Sequence, residues 1–172
     1  MKVAFLDRDG TLVYEPPDTH HVTEENLRIL PGVIVTLRAL KDRNYVLVLV
    51  TNQASGPLTI AGRTIAFEKS QKKFEEELAK HGIHFDYVFM CPHTDDDYCD
   101  CRKPKTGLVD SFLKNNPFDR KSSFMIGDRK TDGEFARNLH IAFIKLDPNK
   151  EFPEIITILG CLNYLTNDLI GG

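Results

Sequence analysis

The sequence lacks tryptophan, a long hydrophobic run and a strong excess of either charge. Its apolar runs fall well short of the ~18 consecutive residues that a membrane-spanning helix needs, so no membrane partner is expected. The formal net charge of −3 argues against a nucleic-acid partner, because proteins that bind nucleic acids usually present a basic surface. A small anionic substrate remains open, since a few local cations are enough to bind it.

No signal peptide is expected at residues 1–7, because the apolar run at residues 3–6 is short and the acidic Asp7 follows directly. A cytoplasmic location is therefore expected.

Cysteine is scarce and unevenly placed. Of the four cysteines, three lie within residues 91–101, whereas Cys161 stands alone in an apolar segment that is typical of core. In a cytosolic chain, clustered cysteines are more often metal ligands than disulfide partners.

Length and patterning predict a single α/β domain that spans residues 1–172. Domains commonly run ~100–200 residues, and the hydrophobic content of 41% is ordinary for a globular protein. Short apolar runs predict buried strands at 3–6, 45–50, 87–90, 123–126 and 141–146. Amphipathic patterns predict helices at 33–43, 63–80, 106–115, 131–139 and 153–165. This alternation is typical of a Rossmann-like, doubly wound parallel sheet with helices on both faces.

Polar residues follow directly after four of the five predicted strands. In such sheets ligands bind beyond the carboxyl ends of the strands, so these residues are expected to meet at one edge. Their concentration there indicates the active site of an enzyme. The four strand ends read Asp7-Arg8-Asp9-Gly10-Thr11, Thr51-Asn52-Gln53, Cys91-Pro92-His93 and Gly127-Asp128-Arg129.

Two aspartates two residues apart indicate a divalent cation site. Asp7 and Asp9 end the first strand, where both side chains can point the same way. Adjacent carboxylates repel each other unless a cation lies between them or one is protonated. Asp128, from a different strand end, supplies a third carboxylate. Hard oxygen ligands favour Mg²⁺, which would keep waters and bind a phosphate oxygen of the substrate.

The same edge offers groups that bind phosphate. Gly10 permits a sharp turn whose backbone N–H groups can face an anion. Thr51 and Asn52 can donate hydrogen bonds, and Lys103 adds a fixed positive charge. Phosphoryl transfer uses such a set. One carboxylate attacks phosphorus, a second acid protonates the leaving oxygen, and cations neutralise the transferring group.

Four ordered motifs resemble those of the haloacid dehalogenase superfamily of phosphatases. The resemblance implies that Asp7 is the nucleophile, that it forms an aspartyl-phosphate, and that Asp9 is the general acid/base. It implies Mg²⁺ bound by Asp7, Asp128 and the backbone carbonyl of Asp9, with Asp132 orienting the lysine or the metal shell. Thr51 and Lys103 would complete the catalytic set. The motifs are Asp7-Arg8-Asp9-Gly10-Thr11-Leu12, Thr51-Asn52, Lys103 and Gly127-Asp128-Arg129-Lys130-Thr131-Asp132.

Cys91, His93, Cys99 and Cys101 form a compact set of four metal ligands. Three thiolates and one imidazole suit tetrahedral Zn²⁺ with no open position, which is a structural site. Buried cysteines that act as small hydrophobes and a redox cluster are the alternatives. The intervening residues 94–98 are too polar for a core, so a zinc-stabilised loop is predicted.

This loop leads directly into Arg102 and Lys103, so zinc would position the lysine, and Arg102 is expected to face the substrate. Arg8 and Gln53, beside the motif residues, are further candidates for binding phosphate or substrate. The segment between Asp9 and the first predicted helix is too short for a large cap domain. The site should therefore be open, with the zinc loop as one wall.

The combined motifs are similar to two related groups, the histidinol-phosphate phosphatases and the D-glycero-D-manno-heptose 1,7-bisphosphate phosphatases. The five-residue gap between His93 and Cys99 resembles the first group and favours hydrolysis of L-histidinol phosphate. Glu15 and Asp18 are the candidates for binding its ammonium group, whereas His20 is expected to be a surface residue. The segment 54–59 departs from both groups and is expected to form part of the substrate wall.

Other functions remain open. A polynucleotide 3′-phosphatase shares the aspartate chemistry, but it would need a basic groove and stacking aromatic residues. A non-enzymatic, zinc-held interaction module is the alternative outside catalysis. Histidinol-phosphate phosphatases are often fused to a dehydratase domain, so the chain is expected to be either free-standing or part of such a fusion. A monomer or a small homo-oligomer is expected.

Overall fold

The computed structural model describes residues 1–57 and 59–168, with side chains as far as Leu162. Five strands and five helices alternate along it, as the sequence predicts. The strands are β1 (Lys2–Leu6), β2 (Tyr45–Asn52), β3 (Tyr87–Cys91), β4 (Phe124–Gly127) and β5 (Ala142–Lys145). The helices are α1 (Val33–Asp42), α2 (Ile60–Ala79), α3 (Asp110–Asn115), α4 (Lys130–Leu139) and α5 (Ile155–Asp168).

All four strand pairings are parallel, and the strand order is β3-β2-β1-β4-β5. The predicted doubly wound parallel sheet is thus confirmed. β1 lies at the centre, where alternate residues face opposite sides. Ala4 and Leu6 pack into one apolar core, and Val3 and Phe5 pack into the other. Because both faces are covered, the strands read as continuous apolar runs.

The predicted helix over 106–115 is shorter than expected. A 3₁₀ turn (Gly107–Val109) precedes α3. The N–H of Gly107 donates to the carbonyl of Asp100 at 3.1 Å, and a Cβ at this glycine would lie 2.5 Å from that oxygen. This close approach of the preceding loop constrains the backbone at Gly107, so the regular helix begins only at Asp110.

The segment between β1 and α1 forms no cap domain. Two isolated bridges, Asp9 to Val13 and Val13 to Ile29, fold it back over the sheet edge. The carboxyl ends of the strands therefore stay open, as predicted. No helix in the described part of the chain has both the length and the apolar character to cross a bilayer.

Candidate active site

A cavity of about 290 Å³ lies at the carboxyl ends of the central strands. Residues from the ends of β1 and β2, from the loop that leads to α3 and from the start of α4 meet there. The predicted convergence is found for the ends of β1 and β2 and the residues after β4, whereas the end of β3 contributes Cys91 and His93 to a separate cluster. The lining comprises Asp7, Asp9, Glu15, His20, Thr51, Asn52, Gln53, Ala54, Ser55, Arg102, Lys103, Arg129, Lys130 and Thr131.

Three carboxylates cluster at this edge of the sheet. One oxygen from each of Asp7, Asp128 and Asp132 lies within 4.8 Å of the others, close enough to share a cation. The turn after Asp9 allows this approach: Gly10 has φ +79°, and a Cβ there would lie 2.8 Å from Asp128 Oδ2. A glycine adopts this backbone conformation without steric cost. Asp7 and Asp128 are thus near enough for one ion.

Lys103 is the buried cation of the cluster. Its Nζ lies 2.6 Å from an oxygen of Asp7 and 2.6 Å from one of Asp132, and it donates to the carbonyl of Val50 at 2.7 Å. Burial alone would lower the pKa of Lys103, but the charges of Asp132 and Asp7 outweigh it and raise that pKa. The lysine is therefore held charged beside Asp7.

The carboxylates carry more negative charge than Lys103 neutralises. Burial raises the pKa of Asp7 well above its ordinary value, and the charges of Asp132 and Asp128 add to this, although Lys103 opposes it. Burial likewise raises the pKa of Asp128, against the opposing charge of Arg129. A divalent cation bound by hard oxygen ligands would relieve this repulsion, so the cluster fits Mg²⁺.

The carboxylate of Asp9 does not join this cluster. Its Oδ1 accepts a hydrogen bond from Arg8 Nε at 2.6 Å, and its Oδ2 accepts one from the Gln53 side chain at 2.9 Å. The carboxylates that lie close to Asp7 are thus those of Asp128 and Asp132, whereas the carboxylate of Asp9 has its own hydrogen-bond partners. Asp9 lines the cavity, where its carboxylate can take part in proton transfer.

Arg8, which the sequence analysis expects to bind substrate, lies outside the cavity lining. Its side chain is fully buried and points away from the cavity towards α2. Nη1 donates to Ser70 Oγ at 3.1 Å, and the guanidinium lies 4.7 Å from the ring centroid of Phe67. Strand alternation explains this, because residue 8 faces the side opposite to residues 7 and 9. Arg8 thus orients the Asp9 carboxylate from behind.

The end of β2 serves positioning as well as binding. Asn52 accepts a hydrogen bond from the backbone N–H of Lys103 at 2.9 Å and donates to its carbonyl at 3.1 Å, so it fixes the lysine. Thr51 Oγ1 accepts from Gln53 at 2.9 Å. A hydroxyl that accepts one hydrogen bond can still donate its own proton, so Thr51 stays available to a phosphate oxygen.

Glu15 lines the opposite rim of the cavity, where it contacts two residues. Its Oε1 accepts a hydrogen bond from Arg129 at 2.5 Å, and its Oε2 lies 3.3 Å from His20 Nδ1. Burial would lower the pKa of Arg129, but Glu15, Asp128 and Asp7 raise it. Asp18, the other acidic candidate, is exposed and lies outside the cavity lining.

Several residues that line the cavity were not predicted from the sequence. His20 is solvent-exposed, as predicted, but it also lies at the rim beside Glu15. Arg129 and Lys130 follow the motif aspartate Asp128, and this position after a strand end was the signal that could have identified them. In the divergent segment 54–59, Ala54 and Ser55 line the cavity, whereas Leu58 lies outside the described residues.

The three thiols and the imidazole converge in a second cluster that could hold a metal ion. Cys91 Sγ lies 3.2 Å from Cys101 Sγ, 3.8 Å from Cys99 Sγ and 3.5 Å from His93 Nδ1. Zn–S bonds of ~2.3 Å and Zn–N bonds of ~2.0 Å in a tetrahedron place two sulfurs ~3.8 Å apart and a sulfur and a nitrogen ~3.5 Å apart. The separations of Cys91 from Cys99 and from His93 match these values, its separation from Cys101 is shorter, and the cysteines are not joined in disulfides.

The zinc loop is tied to the active site through Arg102. Its Nε donates to Asp95 at 2.7 Å and its Nη1 donates to the carbonyl of His93 at 3.1 Å, while the side chain lines the cavity. The next residue is Lys103. The loop therefore forms one wall, as expected, and it reaches the cavity through these two basic residues.

We expect Gly127→Ala to reduce both stability and activity, because a Cβ at this position would lie 2.4 Å from the Asp132 carboxyl group. Displacing that buried carboxylate costs about 1–3 kcal/mol by overpacking and shifts Lys103. Thermal unfolding and phosphate release measure the two effects. Gly160→Ala is the matched control, since a Cβ at Gly160 has no neighbour within 4 Å. Equal stabilities of the two variants would contradict the steric account.

Comparisons with known proteins add a family to this geometry. Residues 2–152 match the sequence pattern of the family described as polynucleotide kinase 3 phosphatase. The histidine biosynthesis bifunctional protein HisB of Blochmanniella floridana is 42% identical over 145 residues, which cover 84% of this chain and 40% of that protein. HisB of Legionella pneumophila strain Lens is 41% identical over 145 residues, 84% of this chain and 41% of that protein. The chain thus spans about 40% of the length of these relatives.

A solved structure shows the same fold. The D,D-heptose 1,7-bisphosphate phosphatase from B. bronchiseptica, complexed with magnesium and phosphate, superimposes with a TM-score of 0.74 at 24% identity. The superposition covers 98% of this chain and 99% of that one. At this identity the likeness shows the shared α/β fold.

Proposed function

Because the chain belongs to the polynucleotide kinase 3 phosphatase family, and with it to the haloacid dehalogenase superfamily of phosphatases, we propose that it hydrolyses L-histidinol phosphate to L-histidinol and phosphate. The observation that carries the reaction class is the contact of Lys103 with Asp7, beside two further carboxylates suited to Mg²⁺. The relatives named for histidine biosynthesis support the substrate.

The reaction begins at Asp7. One of its carboxylate oxygens attacks phosphorus and forms an aspartyl-phosphate, while the bond from phosphorus to the substrate oxygen breaks. Asp9 donates a proton to that leaving oxygen, so the alcohol departs neutral. In the second step Asp9 takes a proton from water, whose oxygen attacks phosphorus, and phosphate leaves as the Asp7 carboxylate is restored.

The surrounding residues hold this geometry. Arg8 and Gln53 fix the Asp9 carboxylate, and Asn52 fixes Lys103, whose charge offsets the negative charge on the transferring group. We propose that Mg²⁺ is held by Asp7, Asp128 and the backbone carbonyl of Asp9, and that it supplies further charge neutralisation when bound. Asp132, paired with Lys103, supports the lysine.

Zn²⁺ is proposed as a structural ion held by Cys91, His93, Cys99 and Cys101, because the four ligand atoms leave no position open for a substrate. A cytoplasmic location is part of the proposal, since thiols stay reduced there. We propose that residues 1–172 act as one phosphatase domain on a small phosphorylated metabolite.

Glu15 supports an amino-alcohol substrate. Its carboxylate lies at the cavity rim, and an ammonium group on the substrate would find an opposite charge there. D-glycero-D-manno-heptose 1,7-bisphosphate is the second candidate. The basic side chains of Arg102, Arg129 and Lys130 line the same cavity and could hold a second phosphate group.

We expect kcat/KM for L-histidinol phosphate to exceed that for the heptose bisphosphate by at least ~10-fold, because one well-placed charge pair supplies a difference of that order. Released phosphate is measured for both substrates with Mg²⁺, with a 3′-phosphorylated oligonucleotide in the same panel. Glu15→Gln, which removes one negative charge, should reduce the difference in kcat/KM between the two substrates. Faster hydrolysis of the heptose or of the oligonucleotide would overturn the proposed substrate.

A further inference from the structure

Asn149 joins the loop after β5 to the segment that carries Glu15. Its side-chain oxygen accepts a hydrogen bond from the Glu15 N–H at 2.7 Å, and its side-chain nitrogen donates to the Glu15 carbonyl at 2.9 Å. Its own backbone N–H donates to the carbonyl of Gly10 at 2.8 Å. One residue thus holds both the turn after the nucleophile and the rim of the cavity, across 134 positions of sequence.

The backbone of Asn149 has φ +61°, in the left-handed region. Asparagine tolerates this conformation better than most other residues with a side chain. The conformation turns the amide towards the Glu15 backbone, where it makes the paired hydrogen bonds that a neighbouring strand would make. Backbone hydrogen bonds hold the neighbouring residues of the β1–α1 segment, such as Tyr14 N–H to the Arg28 carbonyl at 2.8 Å, whereas Asn149 is the partner of the Glu15 N–H and carbonyl.

The position of the Glu15 backbone decides where its carboxylate lies. The side chain is mostly buried, contacts Arg129 and His20, and borders the cavity. We propose that Asn149 is a positioning residue for substrate specificity, which acts by fixing the Glu15 carboxylate at the rim. This inference rests on the proposed function only in that Glu15 faces the part of the substrate beyond its phosphate.

The test compares Asn149→Gly with Asn44→Gly. Asn44 also has φ +61°, but it is exposed in the turn between α1 and β2, far from the cavity. Glycine adopts both backbone conformations without strain. Comparing the two variants therefore separates the loss of the Asn149 side-chain amide from the effect of placing glycine in a turn. With L-histidinol phosphate, Asn149→Gly should raise KM ~10-fold with kcat within ~2-fold, because a ground-state contact is weakened. Asn44→Gly should leave both constants unchanged.

A generic phosphate monoester provides the second readout. p-Nitrophenyl phosphate has no cationic group that could contact Glu15, so its KM should change less than ~2-fold in Asn149→Gly. Asn149→Asp keeps the acceptor for the Glu15 N–H but loses the donor to its carbonyl, and it should restore part of the lost affinity. If Asn149→Gly fails to fold, Asn149→Asp alone must still show the rise in KM.

Coupling to Glu15 completes the test. In a Glu15→Gln background, Asn149→Gly should have less than half of its single-mutant effect on KM, because both changes act on one contact. An unchanged KM, an equal rise with p-nitrophenyl phosphate, or additive effects would each overturn the inference. If the wild-type chain prefers another phosphate, the proposed substrate fails, and the same variants assayed on the preferred substrate still decide the role of Asn149.

Discussion

Asp7→Asn is expected to lower kcat by at least ~10⁴-fold, because an amide oxygen is a poor nucleophile and no aspartyl-phosphate can form. The substitution keeps the shape of the side chain, so the cavity and the fold should persist. Single-turnover release of phosphate with Mg²⁺ measures the loss. Asp86→Asn is the matched control, since Asp86 also pairs with a lysine, Lys41, at 2.9 Å but lies away from the cavity.

The control variant should keep wild-type turnover. Substantial turnover in Asp7→Asn would contradict the nucleophile assignment and would favour direct attack by water. If the wild-type protein shows no turnover and Asp7→Asn keeps its non-catalytic function, the result would instead support an interaction module.

Asp7→Asn should also raise the free energy of unfolding at neutral pH when Mg²⁺ is left out. Burial raises the folded-state pKa of Asp7, so the native state binds its proton more tightly than the unfolded chain does. The resulting penalty on stability is present above the raised pKa and fades as the pH falls towards the ordinary value of 3.8. The gain should fade in parallel, and denaturant unfolding at several pH values measures it. A less stable variant at neutral pH would contradict this account.

Cys99→Ser is expected to abolish zinc binding and to lower kcat ~10²-fold, a loss of the size seen when one preorganised electrostatic contact is removed. The proposed zinc ion would order the loop that precedes Lys103, since zinc binding contributes ~10–16 kcal/mol of apparent free energy in comparable peptides. Without the ion, the wall formed by Arg102 and Lys103 loses its support. Elemental analysis measures zinc, and phosphate release measures the activity.

Cys161→Ser is the matched control for this experiment, because Cys161 is partly buried against the main core and lies outside the ligand set. It should keep its zinc and its activity. Unchanged zinc content in Cys99→Ser would refute the ligand assignment. Loss of zinc with full activity would refute the link between the loop and Lys103.

The sequence was sufficient to predict the sheet, the approach of Asp7 and Asp128, and the cluster of Cys91, His93, Cys99 and Cys101. A parallel sheet brings the carboxyl ends of its strands to one edge, so motif residues far apart in sequence had to meet there. The zinc set was readable because four ligand types fell within residues 91–101. These predictions depend on topology and on residue type, which the sequence displays directly.

Other features depend on side-chain direction. Arg8 lies between two cavity residues in sequence, yet its side chain points to Ser70 on α2, and strand alternation was the available signal. No sequence signal indicated that the Asp9 carboxylate would turn to Arg8 and Gln53, away from the other acids. Asn149 was likewise hidden, because its partner Glu15 lies at the other end of the chain.

The short segment between β1 and α1 has a kinetic consequence. With no folded lid over the cavity in the described chain, no hinge motion has to precede chemistry or follow it. Substrate and product can enter and leave by diffusion. Water, which the proposed second step requires, can also enter the cavity freely. Discrimination between substrates is then expected to depend on the charged residues that line the cavity, Glu15, Arg129 and Arg102.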